Sequence, residues 1–223
     1  MALLTLDTVC DFVKAKLKDQ LKGAPLDSSS PLRAAEITGG NLNYAFVVQD
    51  DKAAVFVKQA PDYIKVIGPE AQLTRERMRL EVQVYGEWMQ AGDEMSRFLP
   101  KIWMFDEEAM AFIMEYLASY QLLQGCLFEG NAQVSLAKSL GQCMATMHSR
   151  THCSKLDAAE IARLTKTYEN RTLRDIQLEY VFSKCYREDS RASALRADEA
   201  FMMELEKIKA VYNGVNTKNL ALC

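Results

Sequence analysis

Apolar and polar positions alternate along this chain with two different periods, and the change of period divides it. Over 6–22, Val9, Phe12, Val13, Leu17 and Leu21 fall on one stripe with lysines on the other side. That spacing predicts an amphipathic helix, stopped by Gly23 and Pro25. Residues 24–35 read as a Pro/Ser loop. Over 44–49 and 53–59 the period falls to two, which predicts strands joined by an Asp50-Asp51-Lys52 turn. A second hairpin is expected from Ile102 to Phe105 and from Ala109 to Glu115, around Asp106-Glu107-Glu108. Between the hairpins, 74–90 carries a strong helical pattern with Met78, Val82, Tyr85 and Met89 as its apolar stripe. Beyond 132 every patterned segment is helical: 132–148, 158–166, 172–182 and 192–212. Strands first and helices afterwards is an α+β order. The boundary falls near 117–120, giving a sheet-bearing portion 1–117 and a helical portion 118–223.

Composition narrows the class without choosing the function. The chain has 223 residues, 49% hydrophobic and 26% charged, with a net charge of −3. That is enough chain for one large domain or two small lobes with a buried core. No basic cluster suggests nucleic acid, and no acidic tail suggests disorder. No apolar run approaches the roughly 20 residues that cross a bilayer. Asp7 and Asp11 interrupt any signal-peptide pattern at the start. Cys10, Cys126, Cys143, Cys153, Cys185 and Cys223 are scattered without short paired spacings. Reduced thiols in a cytoplasmic protein are the expectation.

Chemistry concentrates in the first half. Gly39-Gly40-Asn41-Leu42-Asn43 lies just before a strand, and Lys58 sits on the next strand. Adjacent glycines let a backbone approach a ligand and expose its N–H groups. A lysine on the neighbouring strand can then reach that ligand's phosphates. The layout is that of a kinase phosphate-covering loop, since a Walker loop needs its lysine directly after the last glycine. Alone, the Gly-Asn pair is equally a hairpin turn, and Lys58 is equally a surface lysine with a buried stem.

Glu81 changes that balance. It lies inside the apolar stripe of the 74–90 helix, three residues after Met78 and four before Tyr85. A carboxylate on the core side of a helix requires a cation, and the helix should pack on the sheet that carries Lys58. Such a strand lysine and helix glutamate together position nucleotide phosphates in kinase-like sites. The competing partner for Glu81 is Arg77, one turn earlier. Glu115-Tyr116-Leu117 closes the second hairpin where strands give way to helices, so its backbone can meet an adenine edge or simply end a strand. His148 and His152 are spaced i, i+4 with cysteines nearby, but no carboxylate motif accompanies them. No metal ligand set and no catalytic residue is assigned in this chain.

These residues resemble methylthioribose kinases. The similarity is carried by Gly-Gly-Asn-Leu-Asn-Tyr (39–44), Val-Lys-Gln-Ala-Pro (57–61), Tyr63-Ile64-Lys65-Val66, Leu-Thr-Arg-Glu-Arg (73–77) and Ile-Met-Glu-Tyr-Leu (113–117). Further on, 140–148 resembles the first long helix of the second lobe in this kinase superfamily, and Asn170 to Phe182 resembles a family stretch in which Gln177 replaces the usual threonine. The resemblance extends over roughly 5–212. It implies a protein-kinase-like two-lobed fold: an antiparallel-sheet N-lobe followed by an incomplete helical C-lobe. It also implies ATP and Mg2+ as cofactors, phosphorylation of 5-methylthioribose in methionine salvage, and a homodimer. By the same resemblance the nucleotide would be bound by Gly40, Asn41, Asn43, Lys58, Glu81, Glu115, Tyr116 and Leu117. Lys58 would hold the α/β-phosphates and Glu81 would orient it. Tyr116 stands where aspartate is common, a change that a backbone contact tolerates.

The family continues into His-Gly-Asp and Asp-Pro-Glu segments that serve the sugar hydroxyl and the magnesium. Neither occurs here, and the metal ligands would lie beyond Cys223. A shortened chain that binds ATP weakly at most, does not turn over the sugar and exposes apolar helix surface is therefore expected. Two rival readings are a non-catalytic nucleotide- or partner-binding module and a helix-rich interaction protein that shares only ancestry with kinases.

Overall fold

The computed structural model describes residues 2–19, 23–90, 92–131 and 133–214. The chain divides into two compact units, Met1–Thr146 and Met147–Cys223.

The first unit is built on a five-stranded sheet of order β1-β2-β3-β7-β6, antiparallel at every pairing. Its strands are β1 (Arg33–Glu36), β2 (Tyr44–Gln49), β3 (Ala54–Gln59), β6 (Ile102–Asp106) and β7 (Ala111–Glu115). The β2 and β3 segments are the alternating runs, and the Asp50 turn joins them. Its carboxylate accepts the N–H groups of Asp27, Lys52 and Ala53, which explains why a buried aspartate is tolerated there. Strand β1 (Arg33–Glu36) begins inside the segment 24–35 read as a loop. Arg33-Ala34-Ala35-Glu36 has no strand-like side-chain pattern and is recruited by its backbone pairing to β2 at the sheet edge. A second, two-stranded sheet, β4 (Tyr63–Ile64) and β5 (Gly68–Gln72), was also not apparent from the pattern.

One sheet face is closed. Phe46, Val48, Val55, Val57 and Ile113 bury against Val9, Phe12 and Val13 of α1 (Val9–Asp19). The stripe expected there therefore packs, although Leu21 lies outside the described residues. Gln59 also belongs to this face and is 1% exposed. Its carbonyl accepts the Leu4 N–H at 2.7 Å and its amide donates to the Ala109 carbonyl at 3.0 Å. Gln59→Leu strands both backbone groups in the interior. A loss of about 2 kcal/mol or more in chemical denaturation is expected, and an unchanged midpoint would show that neither bond matters.

The other face receives α2 (Glu76–Gln90) through Met78, Phe112, Ala60 and Met110, with Val82 and Met114 at the margin. The stripe holds for Met78, Val82 and Tyr85 but not for Met89, which is 44% exposed. Trp88 is buried in its place, continuing the Glu81–Tyr85 row of the helix. A single turn, α3 (Asp93–Ser96), precedes β6, and α4 (Leu123–Phe128) follows β7. α5 (Val134–Thr151) runs across the division between the units. Neither α4 nor α5 buries a residue, and Phe128 and Val134 stand largely exposed.

The second unit is helical among its described residues. It contains α6 (Ala158–Tyr168), α7 (Arg171–Glu179), a π-helical turn at Tyr180–Lys184, α8 (Cys185–Arg187), α9 (Ser193–Ala197) and α10 (Glu199–Asn213). The helix expected over 192–212 is broken at Asp198. That residue leaves helical geometry, and its carboxylate caps α10 by accepting the Phe201 N–H. The sheet followed by helices is the expected α+β order.

Candidate functional site

The pairing of β2 with β3 sets Ala45 opposite Lys58, and Asn43 ends the glycine loop immediately before β2. Strand register therefore brings the end of the loop and the lysine to the same region of the sheet. Lys58 points to the α2 side of the sheet, where its ammonium donates to both oxygens of Glu81 at 2.6 and 2.8 Å. The two side chains remain 25% and 29% exposed, so the pair lies at a water-facing edge rather than in the core. Phe112, directly across from Lys58 on β7, places its ring 5.9 Å from the ammonium. The fixed lysine thus has an apolar wall, a carboxylate behind it and solvent ahead.

The same sheet face carries an apolar strip beside Lys58 whose ligand-facing role the sequence did not reveal. Ala45, Val47, Ala54, Phe56 and Met114 share it by alternation and cross-strand pairing, and all are half-buried. Val55 and Val57 on the opposite face are fully buried. A half-covered apolar strip beside a cation suits a flat aromatic group with a charged extension. The signal was present in the alternation of 44–49 and 54–59, but period two alone does not distinguish a core face from a ligand face.

Arg77 is not the partner of Glu81. It is buried, and its pKa is lowered to about 10 by desolvation, with Asp62 and Glu81 acting in the opposite direction. It stays cationic at neutral pH. Its Nε donates to the Asn43 Oδ1 at 3.0 Å and its Nη2 to the Leu42 carbonyl at 3.0 Å. Its Nη1 donates to the carbonyls of Leu73 and Thr74 at 3.0 and 2.7 Å. Asn43 is thus held by its side-chain carbonyl, which leaves the amide NH2 as the group it can offer. Tyr85, one turn beyond Glu81, has its phenol pKa raised, first by burial and then by the Glu81 charge.

The small sheet also touches the loop region. The Val66 N–H donates to the Asn41 carbonyl at 3.1 Å, and Lys65 pairs with Glu36 at 2.6 Å. The Tyr44 and Tyr63 hydroxyls lie 3.1 Å apart, and this bond pushes the Tyr63 pKa up to about 12.

The two glycines of the loop differ. Gly39 has φ +96°, where an L side chain is strained. A Cβ on Gly40 would meet only the Asn43 carbonyl oxygen, at an ordinary 3.6 Å. Gly39→Ala is expected to cost about 1 kcal/mol or more of stability, and Gly40→Ala about 0.5 kcal/mol or less. Thermal unfolding of the two variants checks this, and equal losses would contradict the loop geometry.

At the connector, the Glu115 N–H is already donated to the Lys101 carbonyl at 2.8 Å, while the Lys101 N–H donates to the Glu115 carboxylate at 3.2 Å. Of Glu115's two backbone groups only the carbonyl could be offered to a ligand. The Tyr116 and Leu117 carbonyls accept the N–H groups of Ala118 and Tyr120, whereas the Leu117 N–H has no acceptor among the described residues. His152 accepts the Ser154 N–H and caps a short turn. Among the described residues there is no group of three His, Cys, Asp or Glu side chains that could hold a metal ion. Cys10, Cys126, Cys143, Cys153 and Cys185 form no disulfide, and Cys223 lies outside the described residues. No helix among the described residues is long and apolar enough to cross a membrane.

The chain is similar to curated methylthioribose kinases along most of its own length. It is 30% identical over 159 residues to the enzyme of Bacillus velezensis, covering 70% of this chain and 40% of that one. With the Geobacillus kaustophilus enzyme it shares 30% identity over 156 residues, covering 69% and 39%. The Exiguobacterium sibiricum enzyme is 25% identical over 205 residues, covering 87% and 52%. The chain thus spans roughly two fifths to half the length of these relatives. No protein-family model matches it.

Proposed function

We propose that this relative of methylthioribose kinases carries the nucleotide-binding part of an ATP-dependent sugar kinase, with 5-methylthioribose as the sugar phosphorylated. In this reading 1–117 forms the nucleotide portion and 118–223 a helical portion that follows it. The bidentate Lys58–Glu81 pair next to the glycine loop is the observation that carries the reading. Ion pairs in contact with water are worth little to stability, so a paired lysine that stays a quarter exposed on a strand face is better explained by what it presents to a ligand. Lys58 holds the α/β-phosphates, Glu81 fixes its direction, and the N–H groups around Gly40 and Asn41 with the Asn43 amide line the phosphate path. The strip of Ala45, Val47, Phe56 and Met114 receives the purine, whose edge meets the Glu115 carbonyl and the Leu117 N–H.

Mg2+ bound with the triphosphate would neutralise its charge. The described residues include no cluster of three His, Cys, Asp or Glu side chains to hold it.

A non-catalytic nucleotide-binding module shares every one of these contacts and differs only in the absence of turnover. The test is binding of the non-hydrolysable β,γ-imido analogue of ATP by calorimetry, in wild type and in Glu81→Gln. Saturable binding that weakens in the variant is expected. No heat at millimolar nucleotide would remove the reading.

A further inference from the structure

We propose that Arg77 is a positioning residue that shapes the glycine loop before any nucleotide arrives. Each guanidinium nitrogen is engaged. Nε and Nη2 reach out to the Asn43 side chain and the Leu42 carbonyl, while Nη1 holds the carbonyls of Leu73 and Thr74 at the entry to its own helix. A planar donor fork used in this way fixes direction as well as distance. Asn43 and Leu42 are the last residues of the loop before β2, so fastening them fixes where the loop turns back toward the sheet. The loop has few other ties. Gly39, Gly40 and Asn41 are exposed, and among the described residues only the Val66 N–H donates to the Asn41 carbonyl.

Arg77 stands four residues before Glu81 on α2, about 6 Å along the helix axis. One helix thus carries the anchor of the loop and the anchor of the lysine. The separation between loop and Lys58 ammonium is set by that helix turn, not by the strands alone. Burial of a cation would be costly without this set of acceptors. The group is there because the loop needs a fixed shape.

The functional half of this inference rests on the nucleotide reading above, so its test has two independent arms. In the first, amide hydrogen exchange is followed on the free 223-residue chain in wild type, Arg77→Lys and Asn43→Ala. Asn43→Ala removes one acceptor outside the helix and keeps the assay interpretable if Arg77→Lys does not fold. Both variants are expected to speed exchange of the Val66 amide about tenfold while leaving α1 unchanged. In the second arm, the same proteins and Lys58→Met are titrated with the β,γ-imido ATP analogue and with adenosine. The Arg77 and Asn43 variants should weaken the triphosphate about tenfold or more and adenosine about twofold or less. Unchanged Val66 exchange in both variants would overturn the proposal, as would equal losses for triphosphate and adenosine. Failure of wild type to bind either ligand, or binding indifferent to Lys58→Met, would overturn the nucleotide reading, and the exchange arm would still decide the role of Arg77.

Discussion

Lys58→Met is expected to lower affinity for the imido analogue of ATP about 100-fold or more, with little change in thermal stability. An ammonium about 4 Å from a phosphate oxygen near a protein surface is worth up to about 4 kcal/mol, and about 1.4 kcal/mol is tenfold in affinity. Methionine also leaves the Glu81 carboxylate facing the phosphates without its counterion, which adds repulsion to the lost attraction. Stability should hardly move, because the pair is a quarter or more exposed and Met can pack its stem on Phe112. Calorimetric titration and a thermal melt measure the two effects. A variant that binds as wild type does would mean that the nucleotide goes elsewhere or does not bind.

Phe112→Ala is expected to be the most destabilising substitution near the site, by about 3–5 kcal/mol. Phe112 is fully buried and forms, with Ala60, Met78 and Met110, the small cluster that joins α2 to the sheet. Its ring centroid is 6.5 Å from that of Tyr85 on α2. The loss would remove a large share of the roughly 5–15 kcal/mol typical of a domain. It would also undercut the surface beneath Lys58, so nucleotide affinity should fall in parallel. Urea denaturation with an unchanged slope gives the stability change. A loss under about 1 kcal/mol would show that α2 is held by other contacts.

Much of this site was legible because it obeys strict periods. Lys58 shares a strand face with Phe56, Glu81 shares a helix stripe with Met78, and the helix follows the strand. Opposite charges on core-facing positions of adjacent elements have few ways to be satisfied, and the pair forms. What escaped was determined by backbone or by distant partners. Strand β1 and the β4–β5 hairpin pair through main-chain groups and have weak side-chain patterns. Trp88 displaces Met89 because the apolar row of α2 shifts toward its end. Asp198 breaks an otherwise periodic run because a carboxylate cap competes with the helix. In the sequence Arg77 stood out only as a competing partner for Glu81, one turn away. Its burial follows from the carbonyls of Leu42 and Leu73, which no one-dimensional pattern displays.

The most direct test of the central claim is to locate Lys58 relative to the phosphates chemically. An acyl-phosphate derivative of ATP transfers its acyl group to an amine close to the bound phosphates and releases ATP. After reaction with the 223-residue chain, mass spectrometry identifies the acylated lysine. Acylation at Lys58, suppressed by excess ATP, is the predicted result. Acylation spread over exposed lysines such as Lys52 and Lys138, indifferent to ATP and sparing Lys58, would contradict it.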